Sequence, residues 1–538
     1  MVDTMVNKTL LNLCSLIEQK GLDAYLVPRA DTFFGEEVRL CDERLKAVSG
    51  FGGSAGLAVI TPLGPHTLLV DGRYVLQATE SFSDQPWEVH EGGLSLMASK
   101  LASKKVGYDP WLFTTEQLSV LPGAHLIPVP DNLVDQAWDD RPSFQSMDTF
   151  ELAADVVGEV WTDKSSRILA QCHGNNLLIT QPDALAWLTN KRGSDLVTTP
   201  VQVAFGLLKV GGHLEIYLPE DRVALLAALS IGPIQFDPAS TCEAIVKHLG
   251  DRGIPKSCPI RAAKAIKNIG EIEAIRAAHS KDGKALTAFI DWFEEQDKLT
   301  LTELDLVKKL AEFRRQSNDM ISPSFDTICG SGPNGALPHY RVSETSNRRL
   351  VNGDLIVLDS GAQYPGATTD VTRTLAVGEV SEERRNQFTL VLKGMIALTL
   401  QQFPVGTTGH QLDVVARVSL WNERLNYNHG TGHGVGAGLG VHESPPRLSA
   451  HPNLPVSEWA LKPGMILSNE PGFYQEGSHG IRSENLLLVI EIAPGWLGFE
   501  TLTKAPFDES LIVWELLSNQ EAAWLKNYQA ELAGTLAR

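Results

Sequence analysis

The chain has 538 residues, 43% of them apolar and 21% charged, with a formal net charge of −19. That length predicts two to four domains, and the composition is that of a globular protein that buries several cores. The acidic balance argues against nucleic acid or an anionic membrane surface as a partner, and no apolar run approaches the roughly 20 residues needed to cross a bilayer.

The opening stretch MVDTMVNKTLLNLCSLIEQKG lacks a basic segment followed by an apolar core and a cleavage site. It reads as the start of a folded helix, and the expected location is cytoplasmic. Cys14, Cys41, Cys172, Cys242, Cys258 and Cys329 are scattered, with no Cys-x-x-Cys pair. They are expected to be reduced thiols, not zinc ligands.

In chain order, Leu10, Leu11, Leu13, Leu16 and Ile17 predict a helix, followed by a strand over residues 23–27. GLAVIT and HTLLVD predict two strands joined by a turn at Pro62, Leu63, Gly64 and Pro65, and KKVGYDP predicts another strand. This alternation gives an α/β unit whose end falls in the polar stretch NLVDQAWDDRP, at residue 142. The order then repeats, with a helix near 150–172, NLLIT, DALAWLTNKRGSDL, and VAFGLLKV joined to HLEIYL through Gly211 and Gly212. Arg73 follows His66 much as Arg222 follows His213, and this self-similarity predicts two related domains of one fold.

DRGIPKSCPIRAAK (251–264) reads as a linker that closes the second domain, 143–261. Asn268 with Glu271 has the pattern of a capping box, and Ile272, Ile275, His279, Leu286, Phe289 and Phe293 recur at helical spacing. They predict a long amphipathic helix opening a third domain, 262–538. Thr302 with Asp305, and Thr408 with Gln411, mark two further helix starts.

The chemistry concentrates in DSGAQYPGATTD (359–370), HGTGHG (429–434), SNEPG (468–472) and GIRSEN (480–485). The first piece reads as a hairpin with a Tyr-Pro-Gly turn, with Asp359 ending one strand and Asp370 early in the next. Facing positions on paired strands lie about 5 Å apart, so both carboxylates can reach one point, where a divalent cation relieves their repulsion. Glu470 and Glu484 stand beside apolar strands, where a charged group is costly unless paired or bound to metal. His433 adds one imidazole. Four carboxylates with a neutral histidine balance two divalent cations, and this oxygen-rich set without thiolate suits manganese, cobalt, iron(II) or zinc. Each piece alone also reads as an ordinary polar loop; their ordered co-occurrence carries the metal reading. Gly432, Gly434 and Ala437 match a dinucleotide-loop pattern, but the polar NERLNYN before them supplies no strand for it.

Together with GPNGALPHY, TTDVTRT, VHESP and NEPGFY, these motifs resemble the creatinase and methionine aminopeptidase superfamily, and within it the long, three-domain aminopeptidase P family. SGFGGSAGLAVIT, DGRY and WLTNKRGSDL extend the resemblance over nearly the whole chain. It implies an α/β (α+β) architecture: two creatinase-like N-terminal domains followed by a pita-bread metallopeptidase domain. The implied activity is hydrolysis of the N-terminal Xaa-Pro bond of peptides by a hydroxide bridging two divalent ions, most often manganese, in a homodimer joined through the third domain.

Carried over to this chain, Asp359 chelates one ion, His433 and Glu470 the other, and Asp370 and Glu484 bridge them. Glu470 relays the proton, His442 meets the scissile carbonyl, His339 contacts substrate near the imide nitrogen, His429 lines the channel, and Arg482 is a supporting or pocket residue. Ala362 stands where the family usually has glycine, and Gly366-Ala367 where Asp-Gly is common. Two alternatives stay open: a prolidase, which cuts Xaa-Pro dipeptides but normally has one N-terminal domain, and a non-catalytic binding module of the same fold. Creatinase itself is disfavoured because it lacks the metal ligands.

Overall fold

The computed structural model describes residues 7–72, 74–82, 86–450 and 459–536; Arg73, used in the self-similarity above, lies outside them. The chain divides into two compact units, residues 1–149, 161–196 and 201–259 in the first, and 150–160, 197–200 and 260–538 in the second.

The first unit contains two sheets. Helix α1 (Lys8–Gln19) is followed by strands β1 (Ala24–Pro28), β2 (Leu57–Ile60), β3 (His66–Val70), β4 (Trp87–Glu91), β5 (Lys105–Tyr108) and β6 (His125–Pro128). The order is β4-β3-β2-β1-β5-β6, with β1 antiparallel to β2 and parallel to β5. After helix α2 (Leu133–Ala137) come β7 (Asn176–Ile179), helix α3 (Pro182–Thr189), β8 (Phe205–Leu208), β9 (Leu214–Tyr217), β10 (Ile234–Phe236) and β11 (Gly253–Pro255). Here the order is β9-β8-β7-β10-β11, with β7 antiparallel to β8 and parallel to β10.

The sheets share one plan, two successive antiparallel pairings on one side of the starting strand and two parallel pairings on the other, to which the first sheet adds β4, parallel to β3, at its edge. The repeat reaches the side chains. β5 and β10 both run into Asp-Pro, where Asp109 Oδ1 accepts from Trp111 N at 2.9 Å and Asp237 Oδ1 accepts from Ala239 N at 3.1 Å. Each aspartate closes the turn that leaves its strand.

Two stretches expected as boundaries are folded. Leu133, Val134 and Ala137 of α2 pack with Leu13, Ile17 and Tyr25 in the first core, because three apolar residues on one helical face outweigh their polar neighbours. Residues 253–255 are the edge strand β11, and Pro259–Ala265 form helix α4. The helix expected near 150–172 is interrupted: Gly158 (φ +63°) ends one at Ala154–Val157, and a second runs from Trp161 to Ala170. Leu11 of α1 is exposed while Leu13 and Ile17 are buried, since only one stripe of the helix meets the sheet.

In the second unit all three expected helix starts are present, each as a capping box. Asn268 with Glu271 starts α5 (Ile269–Glu295), Thr302 with Asp305 starts α6 (Glu303–Arg315), and Thr408 with Gln411 starts α8 (Gly409–Asn422), after α7 (Glu382–Thr399). Each box satisfies N–H groups left open by the first turn, and such a cap contributes about 1 kcal/mol. Ile275, His279, Leu286, Phe289 and Phe293 form the buried stripe of α5.

Strands β12 (Ile328–Ser331), β13 (Leu355–Ser360) and β16 (Val371–Ala376) make an antiparallel sheet; β13 and β16 are buried along their whole length. Between them the hairpin β14 (Ala362–Tyr364) and β15 (Ala367–Thr368) turns through Pro365 and Gly366, whose φ of +72° suits glycine at that position. A six-stranded sheet follows the order β17-β24-β23-β20-β18-β19: β17 is Phe403–Pro404, β18 Gly432–Gly434, β19 Glu443–Leu448, β20 Ile466–Asn469, β23 Asn485–Ala493 and β24 Trp496–Thr501. A separate hairpin joins β21 (Gly472–Gln475) to β22 (His479–Arg482), and helix α9 (Asn519–Leu536) follows the sheet.

Candidate metal centre

The site forms where β13, β16, β18, β20 and the turn from β22 into β23 end close together. Asp359 lies on β13 opposite Thr372 of β16, and Asp370 lies just before β16. The expectation that the two aspartates sit on paired strands is therefore corrected: the extra hairpin β14–β15 displaces Asp370 into the bend.

Asp370, His433 and Glu484 each offer one atom within 4.8 Å of the others. His433 Nε2 lies 3.4 Å from Asp370 Oδ2 and 3.5 Å from Glu470 Oε1. Its Nδ1 donates to Gly434 O at 2.9 Å, which orients the ring and turns Nε2 into the cluster. Gly432 lets β18 approach β20 here, since a Cβ would collide with the Ser468 carbonyl. Ser468 Oγ donates to Glu470 Oε1 at 3.2 Å and accepts from His433 N at 3.0 Å, so one hydroxyl joins both residues.

Asp359 Oδ2 accepts from Arg482 Nη2 at 2.7 Å, whereas its Oδ1 is buried with no hydrogen-bond partner. Glu484 Oε2 accepts from Thr372 Oγ1 at 2.8 Å, and the side chain is 1% exposed. Burial, followed by the like charges of Asp370, Glu470 and Asp359, holds Glu484 well above the usual carboxylate range. Burial also raises Asp359, with Arg482 opposing the shift. Burial lowers His433, but its hydrogen bond to Asp370 and the charges of Glu470 and Asp370 outweigh that, giving a net rise to about 9. An orphaned carboxylate oxygen, crowded carboxylates and one imidazole fit hard or borderline divalent ions, and no thiolate is among them.

The surrounding histidines are held differently from one another. His442 is exposed, and its ring meets that of His433 edge to face at 4.3 Å. The next residue, Glu443, is buried between Lys264 at 2.7 Å and Lys267, which fixes the start of β19. His429 donates through Nδ1 to Gly430 O at 2.8 Å and accepts at Nε2 from Tyr474 OH at 2.9 Å. Burial holds it below its ordinary pKa, against the field of Glu470. Arg482 is 3% exposed and also donates to Tyr474 OH at 2.7 Å, to Thr372 Oγ1 at 3.2 Å and to Pro338 O at 3.2 Å. That last bond anchors the residue before His339, which is half-buried in the loop after Gly332–Ala336.

Sequence reasoning assigned no role to Tyr474, Thr372 or Ser468. Tyr474 lies within NEPGFY and shares a strand face with Gly472, but only its bonds to Arg482 and His429 reveal its place.

The pattern of metallopeptidase family M24 matches residues 273–491, and that of its C-terminal region matches 495–538. The creatinase/prolidase N-terminal domain matches twice, at 10–136 and 140–231. The chain is 35% identical to a probable Xaa-Pro aminopeptidase P of Paracoccidioides lutzii, over 99% of this chain and 96% of that protein. It is 34% identical to one from Fusarium vanettenii, over 97% and 94%. The crystal structure of X-prolyl aminopeptidase from Caenorhabditis elegans, described as a cytosolic enzyme with a di-nuclear active site, superposes with a TM-score of 0.92 at 29% identity, covering 99% of this chain and 96% of that one. Two creatinase-type domains, a pita-bread domain and this full-length similarity show that the chain belongs to the Xaa-Pro aminopeptidase P family of M24 metallopeptidases.

Proposed function

We infer that this protein is a metal-dependent aminopeptidase that hydrolyses the first peptide bond of substrates with proline at the second position. The observation that carries this reading is the convergence of Asp370, His433 and Glu484, with Glu470 and Asp359 beside them, in a chain of this family. Asp359, Asp370, His433, Glu470 and Glu484 would hold two divalent ions, manganese by preference, with cobalt, zinc or iron(II) as substitutes. Bound there, the ions supply Lewis acidity and lower the pKa of the attacking water from about 15.7 toward neutrality.

The protein's own residues supply the rest. Glu470 accepts the proton of the attacking water and passes it toward the leaving nitrogen. His442, beside His433 and open to solvent, donates to the carbonyl oxygen as it becomes anionic. His339 delivers a hydrogen bond at the imide nitrogen of proline, which has no N–H of its own. The C–N bond then breaks, releasing the first residue and a peptide that begins with proline. His429 and Arg482 line and brace the substrate channel through Tyr474.

We also propose domain boundaries at residues 142 and 261, a homodimer formed through the third domain, and a cytoplasmic location. No helix among the described residues is long and apolar enough to cross a membrane. The decisive experiment compares Xaa-Pro-Yaa with Xaa-Pro and Xaa-Ala-Yaa after chelation and manganese add-back. Cleavage of the tripeptide with proline is expected. Cleavage of the dipeptide alone favours the prolidase reading, and absence of both turnover and bound metal favours a binding module.

A further inference from the structure

Arg373 is 1% exposed, yet all its hydrogen bonds go to uncharged groups. Nε donates to Pro506 O at 2.9 Å, Nη1 to Thr372 O at 2.8 Å and to Glu484 O at 2.6 Å. Nη2 donates to Asn485 Oδ1 at 2.8 Å, Ala505 O at 2.7 Å and Tyr528 OH at 3.2 Å, and the guanidinium lies 4.0 Å from the centre of the Phe507 ring. Burying a cation without a bonded carboxylate is costly, and only a full set of acceptors makes it tolerable. This cation joins three stretches remote in sequence: β16, the Glu484–Asn485 peptide, and the segment 505–507 with Tyr528 of α9.

The middle stretch is the informative one. Thr372 Oγ1 holds the Glu484 carboxylate, and Thr372 O accepts from Glu484 N at 3.1 Å. Arg373 holds the carbonyl of the same residue, so the side chain, N–H and C=O of Glu484 are all fixed from β16. Tyr528 in turn fixes the guanidinium, its hydroxyl lying 2.9 Å from Ala505 O and 3.1 Å from Thr503 O.

We propose that Arg373 and Tyr528 form a clamp through which helix α9 sets the position of Glu484, and with it the affinity of the centre for divalent cations. Arg373 is thus a positioning residue: it touches the backbone of a ligand, not the substrate. The inference rests on reading the cluster as a divalent metal centre.

The test is calorimetric titration of the metal-stripped, full-length protein with Mn²⁺, for wild type, Tyr528→Phe, Arg373→Lys and Arg373→Met. Tyr528→Phe is expected to weaken binding by about 10-fold and Arg373→Met by up to about 100-fold, with Arg373→Lys between them. At saturating Mn²⁺, KM for an Xaa-Pro peptide stays near wild type and the kcat of Tyr528→Phe recovers, which a general loss of structure would not produce. Should the arginine variants fail to fold, Tyr528→Phe decides, because it removes a single oxygen. Unchanged affinity in that variant overturns the clamp alone, as does a kcat that excess Mn²⁺ does not restore. A wild-type protein that binds no Mn²⁺ overturns the metal reading and the clamp with it.

Discussion

Arg482 bonds to one oxygen of Asp359, at 2.7 Å, while the other oxygen stays buried without a donor. The guanidinium orients the carboxylate, and in the proposed centre its free oxygen would face a cation. Lysine has the charge but not the fork that also reaches Tyr474 and Pro338. Arg482→Lys is expected to weaken Mn²⁺ binding by about 10- to 100-fold. Equilibrium dialysis measures this, and wild-type affinity would contradict the role.

Asp370 and Glu484 are the two carboxylates that cluster with His433. Asp370→Ala and Glu484→Ala should each leave under about 1% of activity, because each would withdraw a ligand shared by both ions. Metal analysis alongside turnover checks this, and substantial residual activity counts against bridging.

His442 is exposed, and its ring meets that of His433 edge to face beside the cluster. His442→Ala is expected to lower kcat by about 100- to 1,000-fold with a smaller change in KM, the pattern of a group acting on the transition state. Steady-state kinetics on an Xaa-Pro tripeptide separates the two, and a rise in KM alone would refute the assignment.

With His433 raised to about 9 by Asp370 and Glu470, and Asp359 and Glu484 raised by burial, metal binding by the proposed ligands would have to expel protons. Mn²⁺ affinity should therefore rise with pH through neutrality and level off above about 9, where His433 is already deprotonated. Calorimetry in buffers of different ionisation enthalpy counts the protons; fewer than one released per protein at pH 7 would be inconsistent with the cluster.

His479 offers a separate test of stability. Burial, assisted by the charge of Arg384, lowers its pKa to about 4, and its Nε2 donates to Gln387 Oε1 at 2.8 Å. The unfolded value is about 6.5, so the unfolded chain takes up this proton first as pH falls. The contribution is complete above about 6.5 and is lost toward pH 4, amounting to at most about 3 kcal/mol. Thermal midpoints of wild type and His479→Gln, in chelator, should differ more at pH 7.5 than at pH 4.5. A constant difference would show that titration of this ring does not matter.

The parts of this architecture legible in the sequence are those governed by short-range rules. Asn268 with Glu271, Thr302 with Asp305 and Thr408 with Gln411 act within one helical turn, and each helix starts where expected. The stretch 251–264, expected as a linker, carries regular structure because its residues find partners outside it: β11 pairs with β10, and Lys264 reaches Glu443.

By itself the sequence determined the donor types, their order and the family, because residue chemistry and motif spacing are carried along the chain. Only the tertiary structure decided how those donors meet. The hairpin β14–β15 moved Asp370 off the strand, Arg482 came to rest on Asp359 across 123 residues, and Arg373 joined β16 to Tyr528 across 155. Such pairings depend on where the backbone turns and on which polar groups must be satisfied once buried, and neither is encoded in local spacing.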